Sequence, residues 1–201
     1  MEAKFMRQGF AVEHQNCKFA PEQIKGTMQH PLHQFVYCPK CGVKSCVVNN
    51  EKSKKCLQCG FVYYFNPIAA VVAVIENDKG ELLVARRGKE PAKGTLDLPG
   101  GFTDMFETAE EAVCREVVEE TGLKVSELHY LFSIPNIYVY SGFEEHTLDL
   151  FFRCKVNDFS GLKAQDDVEE LLFIDKKKVN AAEFGLTSIR KGIEKLQKIA
   201  I

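Results

Sequence analysis

Long hydrophobic runs are absent from this chain of 201 residues. The longest apolar run, residues 68–75, has eight residues, whereas a helix that crosses a membrane needs about 20. The N-terminus carries Glu2 and has no apolar signal core. We therefore expect a cytoplasmic protein without a membrane partner.

An excess of charge of either sign is also missing. The 26 Lys and Arg residues nearly balance the 28 Asp and Glu residues, which leaves a formal net charge of −2. A protein built chiefly to coat nucleic acid or an anionic membrane would carry a large excess of one sign. Nucleic acid is therefore not the expected partner, although balanced charge by itself does not exclude it.

Glycine motifs of the common nucleotide-binding folds do not occur. The chain contains neither G-x-G-x-x-G nor a Walker loop, and its strand and helix patterns are too short for a doubly wound Rossmann domain. The apolar patterns after Pro67 predict an α/β domain over residues 67–201. The predicted strands are 68–76, 81–86, 125–133, 137–140, 147–156 and 171–174, and the predicted helices are 107–121, 177–183 and 187–199.

Charge divides the chain into two parts at Pro67. Residues 1–66 hold 9 Lys and Arg against 4 Asp and Glu, whereas residues 67–201 hold 17 against 24. Residues 1–35 show no sustained period and are predicted to be a loosely attached segment. Residues 36–66 are rich in Cys, Lys and aromatic residues and are predicted to be a separate small module.

Four of the eight cysteines form two Cys-x-x-Cys pairs. Cys38 and Cys41 make the first pair, Cys56 and Cys59 the second, and 14 residues lie between them. This spacing is typical of a zinc ribbon, in which four thiolates bind one Zn²⁺ and leave no open position, so we predict a structural zinc. Unrelated thiols or disulfides are the alternative. The exposed hairpin of such a ribbon is a natural contact for a homodimer.

The predicted helix 107–121 places carboxylates on its apolar side. At 100° per residue, Glu116, Glu119 and Glu120 fall on the same side as the apolar stripe. Anions on a protected face repel one another and lose hydration unless a cation binds them. Oxygen ligands favour Mg²⁺ or Mn²⁺. The alternative is a solvated acidic helix, in which Arg115 and Glu119 form a pair four residues apart.

Residues 101–123 resemble the Nudix box, G-x5-E-x7-R-E-U-x-E-E-x-G-U, in which U is aliphatic. The resemblance covers about residues 67–175 and implies an α/β/α sandwich around a mixed sheet. With the preceding zinc ribbon, the chain looks like the NADH pyrophosphatase branch of the family. The matching residues are Gly101, Glu107, Arg115, Glu116, Val117, Glu119, Glu120, Gly122 and Leu123.

The resemblance implies hydrolysis of a nucleoside diphosphate linked to another moiety, in which a metal-activated water attacks phosphorus. Glu116 and Glu120 would bind Mg²⁺ or Mn²⁺, and Glu119 would be a further ligand or the base. A backbone carbonyl of Gly100 or Gly101 would complete the metal site.

Two further features follow from the same resemblance. Arg115 and Glu107 would form the salt link that orients the helix. A late loop often supplies one more acid, for which we favour Asp167, with Asp166 and Glu169 as alternatives.

Candidate substrate contacts lie at the end of the second predicted strand and in and just after the predicted strand 137–140. Arg86 and Arg87 are predicted to bind phosphate, with surface solvation as the alternative. Tyr138, Tyr140 or Phe143 could stack on a base, with core packing as the alternative.

The substrate is less well defined by sequence than the reaction. The NADH pyrophosphatase branch carries S-Q-P-W-P-F-P-x-S, and residues 133–141 of this Trp-free chain read S-I-P-N-I-Y-V-Y-S. We predict an ADP-ribose or NAD(H) type of substrate. The alternatives are a nucleoside triphosphate or 5′-capped RNA and, from another class, a non-catalytic ligand sensor or nucleic-acid-binding module.

Overall fold

The computed structural model describes residues 29–199, so most of the predicted segment 1–35 lies outside the described residues. The helices are α1 (Ala109–Thr121) and α2 (Thr187–Leu196), and a 3₁₀ turn, Ala181–Glu183, precedes α2. The strands are β1 (Cys46–Asn50), β2 (Ser53–Cys56), β3 (Val62–Tyr64), β4 (Ile68–Val74), β5 (Glu81–Arg87), β6 (Leu96–Asp97), β7 (Gly100–Phe102), β8 (Val125–Tyr140), β9 (Phe143–Val156) and β10 (Val168–Asp175).

The first three strands form a small antiparallel sheet in the order β1-β2-β3. Lys54 of β2 is buried, and its ammonium group donates to the carbonyl of Phe35 at 2.9 Å. The ring of Phe35 stacks on Tyr63 of β3 with centroids 5.6 Å apart. These contacts attach the segment before the cysteines to the small sheet.

Aromatic side chains join this small sheet to the hairpin of β8 and β9. Phe143 lies between Phe35 and Phe65, at centroid distances of 5.9 and 5.6 Å. Phe65 also packs edge-on against His146 of β9, with centroids 5.7 Å apart. The small sheet therefore packs against the same hairpin that carries part of the pocket described below.

Two larger sheets form the rest of the molecule. One is antiparallel in the order β10-β5-β6, and the other has the order β7-β4-β9-β8. In the second sheet β4 and β9 run parallel, whereas the other neighbours run antiparallel. The predicted α/β architecture around a mixed sheet is confirmed.

The two helices pack on opposite faces of this mixed sheet. Successive residues of a strand point to opposite faces, and accordingly Val71 packs with the residues of α1 whereas Val72 packs with those of α2. Phe151 of β9 is fully buried on the α2 side. A methyl group on Gly192 of α2 would lie 2.4 Å from its ring, so the glycine permits this close helix contact.

Helix α1 begins two residues later than the predicted 107. Thr108 caps it: the Thr108 hydroxyl accepts from the Glu111 amide, and the Glu111 carboxylate accepts from the Thr108 amide. This capping box satisfies amides of the first turn. The helix ends at Gly122 in a left-handed conformation with φ 72°, as glycine permits.

The prediction of two strands over 125–140 is wrong, because β8 is continuous. It pairs with β9 along its whole length, with a register shift between Tyr130 and Phe132. Pro135 lies inside this strand, in the gap between the two predicted strands. Since β8 is the edge of its sheet, a residue without an amide hydrogen can be accommodated there.

The predicted helix 177–183 is also wrong. The chain makes turns after β10, and only Ala181–Glu183 forms a 3₁₀ turn. The side chain of Asn180 accepts from the Ala182 amide, which competes with continued helix formation. Helix α2 ends at Leu196 rather than at 199.

Candidate active site and cysteine cluster

The turn that leads into β7 lies directly against α1. Gly100 has φ 150°, and a Cβ there would lie 2.1 Å from the carbonyl oxygen of Val71. A Cβ on Gly101 would lie 2.5 Å from Oε1 of Glu116. The two glycines are therefore required for separate reasons: Gly100 by the backbone of β4, and Gly101 by a carboxylate.

Arg115 holds the acidic side chains of this region together. Its Nε and Nη2 donate to the two carboxylate oxygens of Glu107, both at 2.9 Å. Its Nη1 donates to Glu116 at 2.8 Å and to Glu119 at 2.9 Å. The bond from Arg115 lowers the pKa of Glu107. The predicted link between Arg115 and Glu107 is thus present as a two-pronged ion pair, which fixes the loop before α1 to the helix.

The three glutamates of the helix differ in exposure. The side chain of Glu119 is 47% exposed, whereas that of Glu116 is 12% exposed. The side chain of Glu119 is therefore exposed to solvent and does not lie on the protected face of the helix, where it was predicted. No three carboxylates within residues 29–199 bring their oxygens within 4.8 Å of one another.

Burial raises the pKa of the two inner glutamates. Burial raises the pKa of Glu120 to about 8; the Gly100 amide, which donates to it at 2.9 Å, lowers this pKa, and the charge of Glu116 raises it. Burial likewise raises the pKa of Glu116, and Arg115 partly offsets the effect. Two buried carboxylates side by side are a donor set that fits a hard divalent cation, since a cation would remove both the repulsion and the cost of burial.

A pocket of about 350 Å³ opens beside these residues. Gly101, Arg115 and Glu116 line one end of it, and the loop before β10 contributes Asp166 and Asp167. The structure therefore brings the late-loop acids close to the helix.

The carboxylate of Asp167 forms an ion pair with Lys89, and the Asp167 carbonyl accepts from the Gly88 amide at 2.7 Å. Asp166 adopts a left-handed conformation with φ 50°. Glu169 does not line the pocket. Asp166 and Asp167 both remain candidates for the additional acid.

The two predicted phosphate-binding arginines point in different directions. Arg87 lines the pocket, forms an ion pair with the buried Asp97, and donates to the Tyr138 hydroxyl at 3.4 Å. Arg86 instead donates to Glu170 of β10 at 3.1 Å and does not line the pocket. Neighbouring residues of a strand face opposite sides, so only one of the two arginines can contact a ligand there.

The two predicted tyrosines also separate. Tyr138 lines the pocket and packs edge-on against Phe102, with ring centroids 5.5 Å apart. Tyr140 lies at the hairpin turn, is 64% exposed, and does not line the pocket. Phe143 packs against the small sheet instead. Of the aromatic residues proposed for the base, the structure therefore places only Tyr138 in the pocket.

The four cysteines of the small sheet converge on one point. Their sulfur atoms all lie within 4.8 Å of one another, and the Cys38–Cys59 and Cys41–Cys56 pairs are each 3.7 Å apart. Tetrahedral zinc with bonds of about 2.3 Å to sulfur requires sulfur–sulfur distances of about 3.8 Å. A hydrogen bond from Ser45 and backbone amides lower the pKa of Cys56 to about 6, which favours the thiolate. The cluster fits a four-thiolate metal site.

The NUDIX domain model matches residues 66–194, which is more than half of the chain and contains α1 with its glutamates. This chain belongs to the NUDIX family. The Nudix box predicted from sequence therefore lies in a true Nudix domain, on the β7 turn and α1.

Two curated Nudix relatives illustrate the similarity. A region of 116 residues is 41% identical to a protein named ADP-ribose pyrophosphatase from Methanocaldococcus jannaschii, and it covers 56% of this chain and 64% of that protein. A region of 111 residues is 34% identical to a protein named NAD-capped RNA hydrolase NudC from Haemophilus influenzae, and it covers 54% of this chain and 41% of that protein. The chain thus spans less than two thirds of the length of these relatives.

Solved structures show the same fold. The crystal structure of a NUDIX hydrolase from Nitrosomonas europaea matches 81% of this chain and 90% of its own, with a TM-score of 0.62 and 18% identity. A MutT NUDIX hydrolase from Burkholderia pseudomallei matches 64% of this chain and 97% of its own, with a TM-score of 0.56 and 25% identity. Within residues 29–199, no helix is both long and apolar enough to cross a membrane.

Several pocket residues of this Nudix domain were missed from the sequence. Asn136, Thr147 and Asp149 lie on strands whose alternation only indicates which face is buried. A polar residue at an inward position of a strand was the available signal. This signal does not indicate which other polar residue an inward side chain contacts in the folded protein.

Proposed function

We propose that this Nudix chain is a pyrophosphohydrolase that requires a divalent cation. Its substrate would be a nucleoside diphosphate linked to another moiety, of the ADP-ribose or NAD(H) type, and it would release a nucleoside monophosphate. The observation that carries this proposal is the pair of largely buried carboxylates, Glu116 and Glu120, set against the glycine turn beside the pocket. The name of the 41% identical relative, ADP-ribose pyrophosphatase, supports the substrate class.

Glu116 and Glu120 would hold Mg²⁺ or Mn²⁺ together with a carbonyl of Gly100 or Gly101. A bound cation of this kind polarises phosphoryl oxygens and neutralises the charge that develops on them. The side chain of Glu119 is exposed to solvent. It is our candidate for a further ligand or the general base, and Asp166 or Asp167 would add a carboxylate from the opposite side.

Arg115 would act on the reaction through its neighbours. Because it binds Glu107, Glu116 and Glu119 at once, it sets the direction of the two helix carboxylates. Arg87 would contact the diphosphate, since Asp97 and Tyr138 hold its guanidinium at the pocket wall.

The four cysteines would bind a structural zinc that stabilises residues 36–66 as a unit of their own. The sulfur distances support this assignment, because they match those of a closed tetrahedral site. We also propose a cytoplasmic location, since reduced cysteines suit a reducing compartment. A homodimer formed through the ribbon hairpin stays a prediction.

Hydrolysis of capped RNA is the second candidate function. The 34% identical relative is named NAD-capped RNA hydrolase NudC. The small sheet also exposes Lys40, Lys44, Lys52 and Lys55, which could contact an RNA backbone. A triphosphate substrate and a non-catalytic ligand sensor have no comparable observation in their favour.

Product analysis with the purified chain tests these alternatives. ADP-ribose, NADH, ATP and NAD-capped RNA are each incubated with Mg²⁺ or Mn²⁺, and the products are separated by chromatography. The proposal expects AMP from ADP-ribose or NADH faster than pyrophosphate from ATP. Faster turnover of ATP would favour a triphosphate substrate, and faster turnover of capped RNA would favour the second candidate function. No turnover of any compound would favour a non-catalytic sensor.

A further inference from the structure

Part of the pocket wall consists of buried polar side chains that the proposed hydrolysis does not use. Asn136, Thr147 and Asp149 line the pocket and are only 8%, 3% and 5% exposed. Asn136 of β8 lies opposite Thr147 of β9, and Thr147 and Asp149 are two residues apart on one strand, so all three share a face of the sheet. Burying polar groups is costly, which raises the question of what they bind.

Asp149 is held in place by two hydroxyl groups and has no cationic partner within residues 29–199. Thr147 donates to its Oδ1 at 2.5 Å, and the buried Ser188 of α2 donates to its Oδ2. Each carboxylate oxygen can accept a further hydrogen bond. Burial raises the pKa of Asp149, and the groups that lower it are the two hydroxyls rather than a cation. The carboxylate is therefore a rigid acceptor at the pocket wall.

Asn136 supplies both a donor and an acceptor beside it. Its side-chain amide has no hydrogen-bond partner within residues 29–199. In the same residues, every side-chain polar atom that is fully enclosed has a hydrogen-bond partner, so the amide atoms of Asn136 are not fully enclosed. Because Asn136 lines the pocket, its amide must face the open space of the pocket. The side-chain amide of Asn can offer a ligand both an N–H donor and a carbonyl acceptor.

Apolar side chains flank these polar groups. Ala70 of β4 and Leu186 and Ile189 at the start of α2 line the pocket there, and the Phe102–Tyr138 pair lines it as well. Flat apolar walls with a few fixed polar groups are the usual surroundings of a bound aromatic ring. The pocket wall around Asn136 and Asp149 is therefore suited to a heteroaromatic base rather than to a sugar or a phosphate.

We propose that Asp149 and Asn136 select an aminopurine as the base of the substrate. This proposal rests on the pyrophosphohydrolase function above. The exocyclic amino group would donate to Asp149, and the amide of Asn136 would pair with the adjoining ring nitrogen or carbonyl. Adenine and guanine both carry an amino group, whereas hypoxanthine lacks one and would give Asp149 no hydrogen bond beyond those from Thr147 and Ser188.

Calorimetric binding of AMP, GMP and IMP to the full chain tests the selection. We expect IMP to bind at least about tenfold more weakly than the better of the two aminopurine nucleotides, since a hydrogen bond to a charged group is lost. The comparison of AMP with GMP identifies the base. Equal binding of all three nucleotides would overturn the proposal.

Asp149→Asn tests the residue. A hydroxyl can accept as well as donate, so an amide keeps both the Thr147 and the Ser188 contacts. It can also donate to the carbonyl of hypoxanthine, so the preference against IMP should fall to within about threefold of unity. The matched control is Asp158→Asn, in an exposed loop where Asp158 accepts from the Ser160 amide at 2.8 Å. An unchanged preference in Asp149→Asn would contradict the assignment.

Asn136→Ala is the second variant, because it leaves the Asp149 contacts with Thr147 and Ser188 in place. It should weaken binding of the preferred aminopurine about five- to tenfold and raise KM for the matching substrate without changing kcat. Unchanged binding, with a wild-type melting curve, would refute the role of Asn136.

A hydrolysis assay on the same samples separates the two proposals. Turnover without base discrimination would refute only the aminopurine selection. Discrimination without turnover would refute only the pyrophosphohydrolase function.

Discussion

Replacing Glu120 by Gln should stabilise the metal-free protein and inactivate the enzyme at the same time. Gln is nearly isosteric and can still accept from the Gly100 amide, which bonds Glu120 at 2.9 Å. Gln carries no charge, however, so the substitution removes both the free-energy cost of burying a charged group and its repulsion from Glu116. The two effects can be measured separately.

The size and pH range of the stability effect follow from the pKa of Glu120. Folding raises this pKa from its ordinary value of 4.5 to about 8, and one pKa unit corresponds to about 1.36 kcal/mol. Because the folded pKa is raised, the folded state favours the protonated form. This stabilisation is full below pH 4.5 and is lost as the pH rises to about 8. Above that pH the ionised carboxylate should reduce the free energy of unfolding by a few kcal/mol.

Thermal unfolding in the presence of a chelator for divalent cations measures this difference. Glu120→Gln should unfold at a higher temperature than wild type at pH 8, and the two should converge near pH 4.5. Added Mg²⁺ or Mn²⁺ should stabilise wild type more than the variant, since the variant has lost a ligand. Steady-state assays should show kcat lower by roughly 10³, which corresponds to about 4 kcal/mol of barrier.

Glu110→Gln is the matched control, because Glu110 is an exposed residue of the first turn of α1. It should change neither the pH profile nor kcat by a comparable amount. If Glu120→Gln unfolds like wild type at pH 8 without metal, burial of the Glu120 carboxylate does not destabilise the folded protein as proposed. If it retains the wild-type rate at matched Mg²⁺, Glu120 does not hold the catalytic cation.

Three further predictions test other parts of the site. Elemental analysis should find about one zinc per chain, and chelation should expose amides of residues 36–66 to hydrogen exchange while the Nudix sheets stay protected; a zinc-free protein with a protected ribbon would contradict this. Gly101→Ala should lower kcat with little change in melting temperature, because the added Cβ meets a carboxylate at 2.5 Å, whereas Gly100→Ala should unfold the protein, because its Cβ meets the Val71 carbonyl at 2.1 Å; equal behaviour of the two would be inconsistent with these contacts. Arg115→Lys should reduce kcat at least about tenfold with a smaller effect on KM, since an ammonium group cannot bind Glu107 through two parallel bonds; a wild-type kcat would argue against its positioning role.

Local sequence was sufficient for the features whose spacing is short. The helical period and the glycine at 122 predicted α1 and its end, and the structure has both. The two Cys-x-x-Cys pairs predicted a cluster, and the four sulfur atoms converge. In each case the residues that act together lie within a few turns of chain or in one hairpin, so chain geometry alone brings them together.

The wrong predictions arose where long-range pairing outweighed local preference. Two strands were predicted over residues 125–140, but pairing with β9 on one side and a free edge on the other keep β8 continuous across Pro135. A helix was predicted at 177–183, whereas the side chain of Asn180 caps a 3₁₀ turn that begins at Ala181 and ends at Glu183.

The amino-acid sequence by itself determined the family, the glutamates of the Nudix box and the four-cysteine cluster. Tertiary structure decided which members of each candidate pair face the pocket: Arg87 and not Arg86, Tyr138 and not Tyr140. It also brought Asn136 and Asp149 together, on strands whose pairing spans the hairpin. The physical reason is that strand alternation limits a side chain to one of two faces, whereas only the packing of sheets and helices determines what each face meets.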